Sequence, residues 1–343
     1  MKSILVTGAA GFIGCNFVRL LLADTNSDWQ VRAYDALTYA GNLANLADFQ
    51  QDKRFTFIKA DICDPKAVDT AMEEMDVVVN FAAESHVDRS ILSAGDFIRT
   101  NIEGVRVLAE AAMKHKVKRF LQVSTDEVYG SLGKTGLFTE TTPLAPNSPY
   151  SASKTSADLL LLAYHRTFGF PVVVTRCSNN YGPYQFPEKL IPLFVTNLLE
   201  GKKVPVYGDG MQIRDWIHVD DHCRAILTVI KKGLDGEVYN IGSENEQYNI
   251  NITKLILKHL GKDESYIEHV TDRLGHDRRY AIDSTKTKQQ LGWQAQVDFE
   301  EGLRQTIEWY LSNKPWWSAI KTGEYLDYYE KQYGHRERVV DDG

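Results

Sequence analysis

Two adjacent carboxylates beside a hydroxyl, and a tyrosine–lysine pair some twenty residues on, are the groups of this chain best suited to chemistry. Thr125, Asp126 and Glu127 lie in Val-Ser-Thr-Asp-Glu-Val-Tyr-Gly, from Val123 to Gly130, where an apolar strand should end. Like charges resist simultaneous ionisation, so neighbouring carboxyls that share one proton offer an acid and a base side by side. That combination suits removal of water next to a carbonyl. Tyr150 and Lys154 are four apart, so a helix carries both on one face within one turn. Near a lysine and a cationic ring, a tyrosine should yield its phenolate more readily than its reference pKa of about 10 implies, and so act as a base toward an alcohol. A Tyr-x-x-x-Lys spacing alone is common on helices; its meaning comes from what surrounds it.

A redox cofactor would supply such a ring. Gly8-Ala-Ala-Gly11-Phe-Ile-Gly14 follows the first apolar run directly and opens an apolar helical stretch through Leu22. Glycines let the backbone turn sharply and approach a pyrophosphate, while the helix N-terminus offers free N–H groups and the positive end of its dipole. Asp35 ends the second strand, where a carboxylate can take ribose hydroxyls and repel a 2′-phosphate; this favours NAD over NADP. Asp61 and Ile62, after the third strand, can frame an adenine. Ala82 and Ala83, ending the fourth, are small enough to let a cofactor pass.

Elements that position these groups follow from the apolar rhythm. Ser3 to Val6, Gln30 to Tyr34, Phe55 to Lys59, Val77 to Phe81, Phe120 to Ser124 and Pro171 to Thr175 alternate with helical patterns. Runs rich in Val, Ile and Phe without polar alternation suit strands buried on both faces, hence an α/β fold with a doubly wound parallel sheet of Rossmann type. Right-handed crossovers then align the strand carboxyl ends along one edge, where ligands bind. The rhythm loosens after Thr175, and Gly/Pro punctuation marks a smaller C-terminal α/β substrate-binding lobe. The expected division is 1–178 with about 217–243 for the dinucleotide domain, and about 179–216 with 244–343 for the lobe. Helices are expected over 101–115, 151–168, 251–260 and 299–311, with a strand at 237–241. The tail after Lys314, rich in Trp, Tyr and charge, is open to docking on the body or on a partner.

With 343 residues, 43% hydrophobic, the chain can bury a full core. A net charge of −7 argues against a nucleic-acid partner, which usually meets a basic stripe. Cys15, Cys63, Cys177 and Cys223 are scattered without a Cys-x-x-Cys pair, so neither zinc nor a disulfide framework is expected, and no metal is required. No basic leader or apolar run of about 18 residues stands out, which points to a cytoplasmic protein without a membrane partner.

The chain resembles the extended short-chain dehydrogenase/reductases and, within them, the dTDP-glucose 4,6-dehydratases. The likeness runs from the Gly8 turn through Ala82-Ala-Glu-Ser-His-Val-Asp88, Ser124 to Gly130, Tyr150 to Lys154, Cys177-Ser-Asn-Asn-Tyr-Gly182, Phe186-Pro-Glu-Lys-Leu190 and Arg214-Asp-Trp216 to Asp272-Arg-Leu-Gly-His276. Sister epimerases share the glycines and Tyr150 but typically carry small residues where this chain has Asp126 and Glu127.

The resemblance implies oxidation of a sugar at C4 with bound NAD, elimination across C5 and C6, and hydride return to C6, giving a 4-keto-6-deoxy sugar for deoxysugar biosynthesis. Tyr150 would deprotonate the C4 hydroxyl, Thr125 hydrogen-bond it, Lys154 tune Tyr150 and hold the ribose, Glu127 remove the C5 proton and Asp126 protonate the leaving oxygen. It adds Phe12, Ile13, Leu37, Thr38, Ser85, Thr100 and Asn180 to the cofactor set. For a nucleotide-diphosphate sugar it implies Asn179, Lys189, Leu190, Pro205, Tyr207, Arg214, Asn249, Arg273 and His276, with His86 and Glu188 near the hexose. Arginine's planar fork suits the diphosphate. A homodimer through the helices at 101–115 and 151–168 is implied as well. Ala36 stands where many members have lysine, and Leu274 where many have proline; the second puts the base pocket in question. Other readings are a UDP-hexose dehydratase, acting on UDP-glucose or UDP-N-acetylglucosamine, an epimerase, or a nucleotide-sugar sensor without turnover.

Overall fold

The computed structural model describes residues 2–25, 27–334 and 336–338. Six apolar runs form Lys2–Thr7 (β1), Trp29–Asp35 (β2), Phe55–Lys59 (β3), Val77–Asn80 (β4), Arg119–Thr125 (β5) and Val172–Cys177 (β6). Shorter strands follow: Asn179–Tyr181 (β7), Val204–Tyr207 (β8), Ile213–His218 (β9), Val238–Ile241 (β10), Glu246–Tyr248 (β11) and Ile267–Val270 (β12). The main sheet has seven strands in the order β10-β6-β5-β4-β1-β2-β3, and every neighbouring pair is parallel. The order reverses between β1 and β4, which opens a crevice beyond their carboxyl ends.

Period-two alternation divides the strand side chains between two layers. Ile4 and Val6 enter one core with Phe17, Leu21 and Ile226; Leu5 enters the other with Val105, Leu108, Phe120 and Leu161. Each such fully buried aliphatic or aromatic side chain contributes about 1.5–3 kcal/mol. This makes the sheet the rigid part on which site residues are mounted.

A third core gathers Phe194, Trp216, Ile256, Leu303 and the fully buried Trp317. Around it lie the sheet β11-β9-β7, the pair β12-β8, and the helices Leu190–Leu199, Asn249–His259 and Phe299–Ser312. The aromatic tail docks on this body. Trp316 donates to Asn45 Oδ1 at 2.8 Å, Tyr325 to the Pro187 carbonyl at 2.9 Å, and Tyr329 accepts from Asn197 Nδ2 at 3.0 Å. Residues 335 and 339–343 of that tail lie outside the described residues.

The expected helix over 101–115 differs at its start. A wide π turn, Arg99–Gly104, precedes the α-helix Val105–Lys114. Its Asn101 side chain bonds both the N–H and the carbonyl of Glu84 at 2.9 Å and also donates to Ser153 Oγ, so the extra width seats an amide between the β4 loop and the next helix.

Candidate active site

Every strand of the crevice delivers a site residue just beyond its carboxyl end: Gly8 after β1, Asp35 at the end of β2, Asp61 and Ile62 after β3, Ala82 and Ala83 after β4, and Thr125 to Glu127 at β5. Gly8 has φ +65°, and a Cβ there would sit 2.6 Å from the Ala82 nitrogen; at Gly14 it would meet the Gly8 carbonyl oxygen at 2.2 Å. A Cβ at Gly11 would meet only that oxygen, at 3.2 Å. Gly8 and Gly14 therefore shape the turn, while Gly11, the N-cap of the helix Phe12–Ala23, keeps its outer side clear.

The cavity over this edge measures about 650 Å³ and is lined by Gly8, Gly11, Phe12, Ile13, Gly14, Asp35, Thr38, Asp61, Ile62, Ala82, Ala83, Ser85, Thr100, Thr125, Tyr150, Lys154 and Asn180. Asp35 is held by the Ala10 and Leu37 N–H groups at 2.9 and 2.7 Å, so each carboxylate oxygen is oriented with a lone pair to spare. These features fit a dinucleotide with free ribose hydroxyls. Leu37 departs from the expected lining role: it sits behind Asp35, at φ 54°, and acts through its backbone N–H. Asp61 is paired with Arg99 at 2.7 Å and accepts the Cys63 N–H, while Asp64 supplies the helix cap.

Beyond β5, the chain turns at Asp126–Tyr129, with Thr125 accepting the Glu127 N–H at 3.2 Å. Tyr129 anchors the turn. Its hydroxyl donates to Asn240 Oδ1 at 2.7 Å and accepts from Arg176, whose guanidinium is itself held by the buried Asp158 at 2.9 Å. Asp126 is buried, and its Oδ2 has no hydrogen-bond partner among the described residues. Burial, then Glu127 and Asp215, push the Asp126 carboxyl well above the usual range. Burial also raises Glu127, but Arg273, Lys189 and Arg214 pull it back toward the charged form. The environment thus splits the pair into a protonated Asp126 and a more readily ionised Glu127.

Tyr150 occupies the first turn of the helix Pro149–Phe168, fixed by a Ser148/Ser151 capping box and Pro149 at the start. The protein alone does not supply the eased phenolate expected beside a lysine and a cationic ring: burial and then the nearby Glu127 raise the Tyr150 hydroxyl well above 10. Lys154 shares its face, but its ammonium donates to the Val123 carbonyl at 2.7 Å, so the protein alone does not ease the ionisation. The additional positive charge has to come from a bound cofactor.

A second cavity of about 160 Å³ adjoins the first, and Glu127, Asn179, Asn180, Gln185 and Lys189 line both. Its walls bring together His86, Glu188, Leu190, Pro205, Tyr207, Arg214, Asn249, Arg273 and His276. Asp88 Oδ1, Gln212 Oε1, Trp216 Nε1, Asn249 Oδ1 and Arg273 Nε are buried without hydrogen-bond partners among the described residues, although Asp88 Oδ1 lies 3.8 Å from Arg273 Nη1. Orphaned donors and acceptors around one space fit a polar ligand. Arg214 is buried on the Tyr280 ring at 4.3 Å, donating to the Asp277 carbonyl at 2.9 Å. Burial and the neighbouring Arg273 and Arg214 push His276 down to about 3, leaving it neutral. Leu274 is 79% exposed and does not line the second cavity.

Several wall residues escaped sequence reasoning: Tyr39, Glu84 and Arg89 in the first cavity, and Gln212, Trp216, Tyr280 and Tyr333 in the second. Glu84 lies inside the Ala82–Asp88 stretch already singled out, and Gln212 is two residues before Arg214. Tyr333 had no usable cue beyond the aromatic richness of the tail.

Sheet, glycine turn and Tyr-x-x-x-Lys helix define a Rossmann-type enzyme of the extended short-chain dehydrogenase/reductase class. The family described as GDP-mannose 4,6 dehydratase matches residues 5–306, and the chain belongs to it. A dTDP-glucose 4,6-dehydratase of Actinoplanes sp. is 53% identical over 319 residues, covering 92% of this chain and 99% of that protein. The crystal structure of DesIV, a dTDP-glucose 4,6-dehydratase from Streptomyces venezuelae with NAD and TYD bound, is similar with a TM-score of 0.91 and 51% identity, covering 93% and 100% of the two chains. The dTDP-glucose 4,6-dehydratase of Bacillus anthracis in complex with NAD gives 0.88 and 52%, covering 94% and 100%.

Proposed function

We infer that the chain is an NAD-dependent dTDP-D-glucose 4,6-dehydratase, a hydro-lyase that forms dTDP-4-keto-6-deoxy-D-glucose and water. One observation carries the reading of the site: Glu127, beside an Asp126 whose carboxyl is pushed well above the usual range by burial, lies where a dinucleotide cavity and a polar second cavity meet. Near full-length relatives at about half identity bear the dTDP-glucose name, which favours that substrate over a UDP-hexose.

Each chain residue then has one task. Thr125 hydrogen-bonds the C4 hydroxyl and Tyr150 takes its proton, with Lys154 holding the ribose. NAD, when bound, supplies the oxidant at C4 and gives the same hydride back at C6, so net redox change is zero. The C4 ketone acidifies C5, whose proton passes to Glu127. Asp126 delivers a proton to the C6 oxygen, which leaves as water. Glu127 finally returns its proton to C5. Arg214 and Arg273 face the diphosphate, Tyr207, Pro205, Asn249 and His276 the nucleoside side, and His86, Glu188, Asn179, Lys189 and Leu190 the sugar side.

In this reading residues 1–178 with about 217–243 form the dinucleotide domain, and about 179–216 with 244–343 the nucleotide-sugar lobe. The enzyme works in the cytoplasm as a homodimer. Supporting this, among the described residues no helix is long and apolar enough to cross a membrane. Leu159 and Phe168, on the helix 151–168 assigned to the interface, expose apolar side chains. Light scattering on the purified protein should give twice the chain mass.

Incubation with dTDP-glucose, UDP-glucose and UDP-N-acetylglucosamine in turn, read by product mass, tests the activity. Loss of one water from dTDP-glucose is expected. A product of unchanged mass would make the enzyme an epimerase, and loss of water only from a UDP-sugar would move the substrate.

A further inference from the structure

One guanidinium joins four separated stretches of the chain. Arg89, on the short helix Val87–Leu92, lies 3.9 Å from the centre of the Tyr39 ring and 4.0 Å from that of Tyr328. Its edge donates from Nε and Nη2 to Glu188 Oε2 at 3.2 and 2.9 Å. Tyr39 comes from the loop after β2, next to the ribose-facing Asp35; Glu188 precedes the helix Leu190–Leu199; Tyr328 belongs to the docked tail. Phe186 extends the cluster, meeting Tyr39 edge-on at 5.7 Å and Tyr325 at 6.1 Å.

Tyr39, Arg89 and Phe186 all line the larger cavity, whereas Glu188 lines the smaller one. A planar guanidinium is suited to this place, because its two faces can stack while its edge binds a carboxylate, which a lysine ammonium cannot do. Glu188 is nearly fully buried and Tyr39 and Tyr328 flank the guanidinium of Arg89, which keeps a quarter of its side chain exposed.

We propose that Arg89 is a positioning residue that latches the dinucleotide chamber, tying the Tyr39 loop on the ribose side to the substrate lobe and tail so that NAD stays bound from one turnover to the next. The proposal rests on the dehydratase reading, in which the cofactor is oxidised and reduced without leaving. An enzyme of that kind needs a closure on the cofactor side independent of the substrate's exit, and the Arg89 contacts lie at the boundary of the two cavities.

The test is the rate of cofactor exchange in the holoenzyme. Wild type, Arg89→Ala and Arg89→Lys, each checked for folding by circular dichroism, are loaded with isotopically labelled NAD and chased with excess unlabelled NAD. The retained cofactor is then extracted and weighed by mass spectrometry. Exchange is expected at least tenfold faster in Arg89→Ala and more than threefold faster in Arg89→Lys, which keeps the charge and loses the flat faces. Turnover that fades on dialysis of the variants should return on adding NAD. Exchange within threefold of wild type in folded Arg89→Ala overturns the latch; if that variant does not fold, the same limit applied to Arg89→Lys decides. Failure of the wild type to retain NAD, or to release water from dTDP-glucose, would instead sink the dehydratase reading.

Discussion

The two cavities are built in opposite ways. On the cofactor side, glycines, alanines and strand ends do most of the shaping, and at the Asp35 end the polar group is already satisfied, both carboxylate oxygens holding backbone N–H groups; the buried atoms without hydrogen-bond partners among the described residues, on Ser124, Asp126, Ser178 and Gln185, lie toward the ends of β5 and β6. On the other side, long side chains from loops and the tail converge, and six buried polar atoms, counting the shared Gln185 Oε1, lack hydrogen-bond partners among the described residues. The first is preformed by the geometry of a parallel sheet. The second is a hydrogen-bond network left open among the described residues that a polar ligand would complete, each buried group left without any partner costing about 1–3 kcal/mol. Glu127, on their shared wall, belongs to both.

If that contrast is right, variants should sort by cavity. Glu127→Gln removes the base without disturbing either wall, so dehydration should fall by about 10³ while NAD remains bound; water release within tenfold of wild type would remove Glu127 from the mechanism. Gly14→Ala drives a Cβ to 2.2 Å from the Gly8 carbonyl oxygen, and should strain the turn by about 3 kcal/mol and weaken NAD binding roughly a hundredfold. Calorimetric titration would read this, and unchanged affinity would contradict a backbone-shaped chamber.

On the opposite side, Arg273→Ala should spare NAD and weaken nucleotide-sugar binding by about 2 kcal/mol, roughly thirtyfold. Equal damage to both ligands would erase the distinction between the cavities. The smallest effect concerns stability. Asp126 has a folded pKa raised well above its unfolded value, chiefly by burial. Its protonated form therefore favours the fold fully below the unfolded pKa, near 4, and that contribution is lost as pH rises through the folded value. Asp126→Asn, neutral at all pH, should be inactive yet melt about 1–3 °C higher than wild type at pH 9, with the gap closing toward pH 4. A gap that widens on acidification would reverse the sign of the shift.

Legibility in the sequence followed the same division. Strand rhythm, Gly8 to Gly14 and Asp35 could be read because they obey local rules: glycine where backbones approach, a carboxylate at a strand end. Thr125, Asp126, Glu127, Tyr150 and Lys154 were visible as types and spacings, and the structure brings them to one cavity. Their protonation was harder to read. The contrast between the two carboxyls depends on Arg273, Lys189 and Arg214, residues far away in sequence, and the burial that raises the Tyr150 hydroxyl has no local signature. The place of Arg214 and Arg273 in the second cavity became visible only through family resemblance, since alone each looks like a surface ion pair. Tyr39, Arg89 and Tyr328 were silent, because a stack across four segments leaves no local pattern.

Tyr333 has a consequence in time. The larger chamber draws its wall from residues 8 to 189, but the smaller one also needs a ring at position 333. The sheet behind the larger chamber is complete only with β10, at Ile241, so at about 5–20 residues per second a ribosome delivers it roughly five to twenty seconds before that ring. A nascent chain could therefore capture NAD while still unable to grip a sugar nucleotide, and cofactor loading would come before substrate recognition in the life of each molecule.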